Sequence, residues 1–187
     1  MNVDKAIEKR RAYRSLVPVQ LTNEVIDKLA HAAQLAPSCS NNQPWQFIFV
    51  SNKSKLKEIH NALTEGNKWA YDGSLIIVAF TKKEDDCVIC DREYNLFDTG
   101  IAVGFITLQA TELGLVAHPI AGYSPKKIRE ILHIPDQFNV ITLIIVGKRA
   151  DSINPILNEK QKKEETIRPS RKPLKSFIYH NMFNSEE

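Results

Sequence analysis

Two long apolar runs constrain the fold of this chain more than any other feature. Residues 74–81 and 138–147 are almost continuously apolar and are rich in isoleucine, valine and leucine. Runs of this kind predict β-strands that are covered on both faces. A sheet that is buried on both sides needs helices on each face, so the pattern favours an α+β fold.

Helical patterns surround these two strands. Residues 91–113 are apolar on nearly all sides and predict a long buried helix. Gln109 and Glu112 within this segment argue against a membrane span. Gly100 and Gly104 lie one turn apart and favour close packing of a neighbouring backbone. We expect shorter helices near residues 3–11, 22–36, 53–63 and 125–132, and further strands near 46–51 and 116–121.

The C-terminal part of the chain differs in composition from the rest. The 187 residues suit one domain, which we place at 1–150. Beyond Asp151 the sequence is polar, with many lysines and three prolines, and predicts an extended arm of that domain over 151–187. The net charge of +3 gives no general case for nucleic-acid binding. We expect no membrane segment, and the N-terminus lacks the apolar stretch of a signal peptide.

Cys39, Cys87 and Cys90 are the cysteines of the chain. Three cysteines predict no disulfide framework and fit a reducing cytoplasm. The Cys87-x-x-Cys90 spacing is a weak signal, because zinc would need a second pair of ligands. We therefore interpret Cys87 and Cys90 as two packed thiols near the start of a helix, and we expect no metal site.

A polar loop of residues 36–45 follows a helical pattern and precedes a strand. Such residues hold donors and acceptors in a fixed shape, which suits a ligand with many hydrogen-bonding edges. The alternative is an ordinary capped turn, with its final tryptophan anchored in the core. The loop reads Ala36-Pro37-Ser38-Cys39-Ser40-Asn41-Asn42-Gln43-Pro44-Trp45.

Three arginines follow the first helical pattern. At helical spacing Arg10 and Arg14 share a face, and Arg11 lies beside it. Guanidinium groups match phosphate oxygens well, so an anion site is one interpretation. The alternative is a solvated basic face that complements the helix dipole.

Taken together, these patterns resemble the nitroreductase family of FMN-dependent oxidoreductases. The arginine-rich helix end followed by Pro-Ser-x-x-Asn-x-Gln-Pro-Trp is the most distinctive part of the resemblance. The similarity runs from about Ala6 to Arg171, with further matches at Ile76-Ile77-Val78, Asp98-x-Gly100-x-Ala102, Leu113-Gly114-Leu115 and His118-Pro119-Ile120-Ala121-Gly122-Tyr123.

The resemblance implies a nitroreductase-like α+β fold. Its central sheet would be mixed, mostly antiparallel and flanked by helices, and its C-terminal arm would be exchanged in a homodimer with FMN at the subunit interface. Arg10 and Arg11 would hold the phosphate and ribityl end, and Arg14 would approach the N1–O2 edge of the flavin. The other implied contacts are Pro37, Ser38, Ser40 and Asn41 from the partner subunit, Asn67 at the pyrimidine edge, Pro119, Ile120, Ala121 and Gly122 near N5, and Arg171 at the phosphate.

The implied activity is hydride transfer from NAD(P)H through flavin N5 to a nitroaromatic, a quinone or a similar small-molecule acceptor, in a ping-pong cycle. No catalytic side chain is required, because the flavin carries the chemistry. The chain has no Gly-x-Gly-x-x-Gly motif, so no Rossmann site is indicated. His118 is either a proton donor near the flavin or a packed histidine, and we favour the second interpretation.

Two departures from the family pattern leave alternatives open. Ala12 stands where the family often has a small hydroxyl residue, and the chain is short for the family. A flavin-binding or flavin-handling protein without robust NAD(P)H reductase activity is therefore the main alternative. A non-catalytic α+β binding module that uses its basic arm is a third interpretation.

Overall fold

A computed structural model describes residues 1–183 of the chain. This described part of the chain has seven β-strands and six α-helices. The strands are β1 (Leu16–Val17), β2 (Gln46–Val50), β3 (Leu75–Thr81), β4 (Val88–Ile89), β5 (Arg92–Glu93), β6 (Val116–Ile120) and β7 (Asn139–Arg149). The helices are α1 (Val3–Lys9), α2 (Asn23–Gln34), α3 (Lys53–His60), α4 (Tyr94–Glu112), α5 (Pro125–Leu132) and α6 (Glu159–Thr166), and shorter 3-10 turns cover 39–41, 65–72, 83–85 and 174–176.

The central sheet is built around β7. β7 pairs with β3 over most of its length, and parts of β7 also pair with β6 and with β1. β2 pairs with β3 and forms an edge. Every pairing among the described strands is antiparallel, so residues 1–183 confirm the mostly antiparallel sheet but hold no parallel strand that would make it mixed.

The sheet is buried on both faces, as the apolar runs predict. All seven residues of β3 are buried. Ile76 and Val78 belong to one core cluster with residues of α3 and α5. Leu75 and Ile77 belong to a second cluster with residues of α2 and α4. Continuous apolar character in β3 is therefore the direct consequence of two packed faces.

Helix α4 ends where the sequence predicts, at Gly114 with a φ of 73°, a backbone angle that glycine adopts without strain. It begins at Tyr94, later than expected, because β4 and β5 form a short hairpin with left-handed residues Cys90 and Asp91 at its turn. Leu96, Phe97 and Phe105 on α4 are exposed. Among residues 1–183, no helix is both long and apolar enough to cross a membrane.

The segment after residue 150 is only partly an extended arm. Helix α6 has a capping box between Asn158 and Gln161, and both Leu157 before the helix and Glu165 within it are buried. The prediction of an extended segment is therefore wrong for residues 157–166. From residue 167 to 183 the chain has one short 3-10 turn and exposes apolar side chains, and residues 184–187 of the predicted arm lie outside the described residues. The exposed apolar side chains are Ile167, Leu174, Phe177, Ile178, Tyr179, Met182 and Phe183.

Candidate functional site

Arg10, Arg168 and Arg171 form what we call the arginine cluster. Arg10 caps the C-terminal end of α1. Burial lowers the pKa of Arg10, and the guanidinium groups of Arg168 and Arg171 lower it further. Like charges crowd at this point, so an anion would relieve the repulsion.

Arg168 was not predicted as a site residue. Its Nη2 donates to the backbone oxygen of Arg10 at 2.9 Å and also to that of Glu8. These bonds hold the tail against α1 of the same chain and bring Arg171 near Arg10. The sequence offered one signal, a second arginine three residues before Arg171.

Arg11 and Arg14 differ from the cluster because α6 supplies them with partners. Arg14 Nη1 lies 2.9 Å from Glu164 Oε2. Arg11 donates to the backbone oxygen of Glu164 and lies over the ring of Tyr13, 4.6 Å from its centroid. The buried carboxylate of Glu165 accepts from the backbone nitrogens of Arg14 and its neighbour, at 2.8 and 3.1 Å. Part of the positive charge predicted here is therefore compensated within the chain.

His118 lies beneath the arginines and is buried. Its Nδ1 donates to the backbone oxygen of Tyr13 at 3.1 Å, and its ring stacks on Trp69 with centroids 4.6 Å apart. Burial lowers the pKa of His118 to about 4, so the ring is neutral at physiological pH. The interpretation as a packed histidine is confirmed.

The end of β6 and the loop after it bring Asn67 against Gly122. Asn67 Nδ2 donates to the backbone oxygen of Gly122 at 2.9 Å, and Asn67 Oδ1 accepts from Trp69 Nε1 at 3.2 Å. A Cβ atom on Gly122 would stand 2.3 Å from Asn67 Nδ2 and 2.5 Å from Thr64 Oγ1. A larger residue here would therefore force the ends of the Asn67 and Thr64 side chains to move. Of the other predicted residues in this stretch, Pro119 and Ala121 are exposed and Ile120 is buried.

The polar loop has a strained backbone. Ser40, Asn41 and Gln43 have φ values of 49°, 59° and 51°, in the left-handed region that side chains other than glycine rarely adopt. Ser38 holds the turn, because its Oγ accepts from the backbone nitrogen of Gln43 at 2.9 Å. Strain of this kind persists where the surroundings enforce it, and it often marks a functional site. The side chains of Pro37, Ser40 and Asn41 are exposed.

Asp98 anchors this loop from α4. Its Oδ2 accepts from the backbone nitrogen of Cys39 at 2.7 Å, although the residue is buried in an apolar helix. Burial raises the pKa of Asp98, the bond from Cys39 opposes this, and the nearby carboxyl of Asp86 raises it further. Asp98 was expected only as one of the matches to the family. A carboxylate within an apolar helical segment is the signal in the sequence that could have marked it as an anchor.

The cysteines correct one prediction. Cys39 and Cys87 form a disulfide, with Cα atoms 6.2 Å apart. The expectation of no disulfide is therefore wrong, and so is that of two packed thiols, because Cys87 is in the disulfide and Cys90 is exposed. The β4–β5 hairpin carries Cys87 to the polar loop, which sequence spacing alone does not reveal. Cys90 is free and exposed at the hairpin turn.

One chain does not bring the two halves of the candidate site together. The polar loop contacts Asp98, in the first part of α4. Arg11 and Tyr13 line a cavity of 350 Å³ together with Thr111 and Glu112, at the other end of that helix. At 1.5 Å per residue, Asp98 and Glu112 are about 21 Å apart along the axis.

A second cavity lies elsewhere. It has a volume of 630 Å³ and lies between α3 and residues 18–21. Its walls contain none of the residues that the sequence predicts for the site. The candidate cofactor site is therefore formed by the polar loop and the arginine cluster, and not by this cavity.

The two halves suit different parts of FMN. Within residues 1–183, no carboxylate forms an ion pair with the arginine cluster, whose guanidinium groups are of the kind that bind a phosphate monoester. The polar loop presents exposed Ser40 and Asn41 on a fixed backbone, which suits the polar edge of a flavin ring. The donor set of this chain therefore fits the cofactor, provided that both halves meet.

The chain matches the model of the nitroreductase family over residues 7–148. A protein from Archaeoglobus fulgidus, provisionally named an NADH dehydrogenase/NAD(P)H nitroreductase, is 31% identical over 79% of this chain and 85% of its own length. An iodotyrosine deiodinase from Danio rerio is 36% identical over 74% of this chain and 57% of its own length. A solved oxidoreductase containing FMN superposes with a TM-score of 0.84 at 28% identity, covering 98% of this chain and 94% of the other. The chain therefore belongs to the nitroreductase family of flavin-dependent oxidoreductases.

Proposed function

We propose that the protein is a homodimeric FMN-dependent oxidoreductase. It takes electrons from NAD(P)H and passes them to a small-molecule acceptor such as a nitroaromatic or a quinone. One observation carries the proposal: the polar loop contacts the first part of α4, whereas Arg11, next to Arg10 in the chain, lies at the other end of that helix, so a complete site needs a second copy.

The exposed face of α4 supports the dimer. Phe97 is 63% exposed and Leu96 is 42% exposed, although both belong to a largely apolar helix. A Cβ atom added to Gly100 or Gly104 would meet nothing within 4 Å in the described chain, so the close neighbour that these glycines favour is not in the same subunit. A two-fold contact at this face places the loop end of one α4 beside the arginine end of the other.

The edge strand β2 supports exchange of the arm. β2 pairs only with β3 among the described strands, so its other edge can accept a further strand. Residues 174–183 expose apolar side chains that a monomer would leave in water. We infer that this part of the arm covers the partner subunit near β2.

Each half of the site has its own task in this dimer. Arg10, Arg168 and Arg171 would hold the phosphate, and Arg11 would hold the ribityl end. Pro37, Ser38, Ser40 and Asn41 of the other copy would contact the ring. Arg14 would lie toward the N1–O2 edge, Asn67 toward the pyrimidine edge, and Pro119, Ile120, Ala121 and Gly122 near N5.

A bound flavin would supply the redox chemistry, namely hydride transfer from NAD(P)H to the acceptor. The protein positions the cofactor and shields it. The neutral, packed ring of His118 is no proton donor at physiological pH, and we assign no catalytic role to any side chain. Arg14 would keep a guanidinium beside the cofactor, in the orientation that its ion pair with Glu164 fixes.

The test combines native mass with flavin stoichiometry. We expect a dimer that binds two FMN and whose flavin absorbance bleaches when NADH or NADPH is mixed anaerobically. A monomer without flavin, whose melting temperature does not rise with added FMN, would overturn the proposal.

A second candidate function is a flavin-binding protein of the same fold without robust NAD(P)H reductase activity. The Arg14–Glu164 ion pair favours it, because a compensated arginine stabilises a reduced, anionic flavin less. One relative of this chain is named an iodotyrosine deiodinase and not a nitroreductase, so similar proteins carry names for more than one activity. Slow or absent bleaching of bound flavin by both nicotinamides would select this alternative.

A further inference from the structure

The Cys39–Cys87 disulfide has no task in the flavin reaction described above. It joins the middle of the polar loop to the start of the β4–β5 hairpin, across 48 positions of sequence. Cys39 stands between Ser38 and Ser40, two residues that would contact the flavin. A covalent bond at this point therefore acts directly on the strained part of the loop.

We propose that Cys39 and Cys87 form a second redox site, which exchanges with external dithiols and thereby sets how firmly the polar loop holds FMN. The effect on FMN depends on the proposed function, whereas the exchange itself does not. Both cysteines are half-buried, so a small reductant can approach the bond.

The exchange balances without any further reactant. One thiolate of the dithiol attacks a sulfur of the bond and releases the other cysteine, which takes up a proton. The second thiol of the reductant then displaces the remaining protein sulfur, which is protonated in turn. The dithiol becomes a disulfide, and Cys39 and Cys87 become two thiols.

The geometry selects a dithiol over a monothiol. The folded domain holds Cys39 and Cys87 together, so a mixed disulfide formed by a monothiol is reversed by the neighbouring cysteine. Cys90 does not complete the reaction from within. It is exposed at the turn beyond β4, whereas the disulfide joins the polar loop to Cys87 before β4.

Reduction loosens the loop without releasing it. The bond from the Cys39 nitrogen to Asp98 remains, as does that from Asn42 Nδ2 to Asp86 at 3.2 Å. What disappears is the covalent constraint beside the left-handed residues Ser40 and Asn41. These residues then relax toward ordinary conformations, and binding FMN must order them again.

The experiment compares the wild type with Cys39→Ser, Cys87→Ser and the matched control Cys90→Ser. In oxidised wild-type protein we expect one titratable thiol, and three after dithiothreitol. Treatment of the oxidised protein with glutathione at the same thiol concentration should still give one titratable thiol. Reduction should weaken FMN binding roughly tenfold, as expected for reordering a few loop residues. Cys39→Ser and Cys87→Ser should bind weakly in both states, and Cys90→Ser should respond as the wild type does.

Hydrogen exchange of residues 37–43 without FMN separates this proposal from the proposed function. Faster exchange after reduction supports the redox site even if the oxidised protein binds no FMN, a result that would overturn only the flavin function. Three titratable thiols before any reductant would overturn the redox site. So would equal exchange rates and equal FMN affinities in the two states.

Discussion

The arginine cluster and the polar loop are built in opposite ways. No residue of the cluster has a left-handed backbone, but burial and then the charges of Arg168 and Arg171 lower the pKa of Arg10. The loop carries no charged side chain but has three left-handed residues, held by Asp98 and by the bond to Cys87. A bound anion would reduce the repulsion within the arginine cluster, whereas the backbone of the polar loop is already strained in the protein without a ligand. Binding at the first should therefore depend on salt, and binding at the second should not.

The largest effect should come from separating the two halves. Phe97→Asp places a carboxylate on the exposed face of α4, where the proposed dimer would bury it. We expect dissociation to monomers and a loss of FMN affinity of at least about a hundredfold, because a buried unpaired charge costs several kcal/mol. Size-exclusion chromatography with light scattering and flavin titration measure both effects.

The control for Phe97→Asp is Ile156→Asp, at an apolar residue that is 55% exposed but lies outside α4. It should remain dimeric and bind FMN. A Phe97→Asp protein that is monomeric yet binds FMN with full affinity would show that one chain completes the site, contrary to the comparison of the two halves.

Lowering the pH should destabilise the folded protein through protonation of His118, which lies beneath the arginines. Its pKa falls from an ordinary 6.5 to about 4 on folding, so the unfolded chain takes up this proton first as the pH drops. The neutral ring of His118 therefore contributes about 3 kcal/mol to the free energy of unfolding. This contribution is complete above pH 6.5 and is lost as the pH falls from 6.5 to 4. Urea unfolding at several pH values should show this loss in the wild type and a flatter profile in His118→Asn. His31→Asn, at an exposed histidine, should keep the wild-type slope.

How well the sequence predicted each half depends on how local the signals are. β3, β7 and α5 were predicted because apolar runs and helical patterns depend only on neighbouring residues of the chain. The anchors were not predicted, because they act over long separations. Glu165 holds the backbone near Arg14 across 151 positions, and the loop is tied to Cys87 across 48. Nothing in the local composition of a lysine-rich helix shows that one of its glutamates is buried.

Neutralising one arginine should weaken the charged half alone. Arg10→Met keeps most of the side-chain volume and removes the guanidinium. We expect FMN binding to fall by about 2 kcal/mol, the contribution of a charge-assisted hydrogen bond, with a shallower salt dependence. Riboflavin, which lacks the phosphate, should lose almost nothing.

The ratio of FMN to riboflavin affinity therefore decides the assignment of Arg10. Lys126→Met removes an exposed cation on α5 and should leave both affinities unchanged. Equal losses for FMN and riboflavin in Arg10→Met would place this arginine away from the phosphate.

Close packing at Gly122 should give a smaller effect. Gly122→Ala forces a Cβ atom against Asn67 and Thr64, so these side chains must move. We expect a loss of about 1–3 kcal/mol in folding stability, together with weaker FMN binding. Gly66→Ala in the preceding loop meets nothing within 4 Å and should be tolerated. Similar stabilities in urea for the two variants would argue against a packed Asn67–Gly122 contact.

The smallest effect should come from a single side chain of the polar loop. Asn41 has a φ of 59°, so replacing it with glycine removes the side-chain amide without adding backbone strain. We expect Asn41→Gly to weaken FMN binding by about 1 kcal/mol, the typical contribution of one hydrogen bond, with no change in its salt dependence. His133→Gly is the matched control, because His133 has a similar φ of 55° at the end of α5. If Asn41→Gly changed the salt dependence as Arg10→Met does, the loop would be acting on the phosphate. The division of the site into a charged half and a strained half would then be wrong.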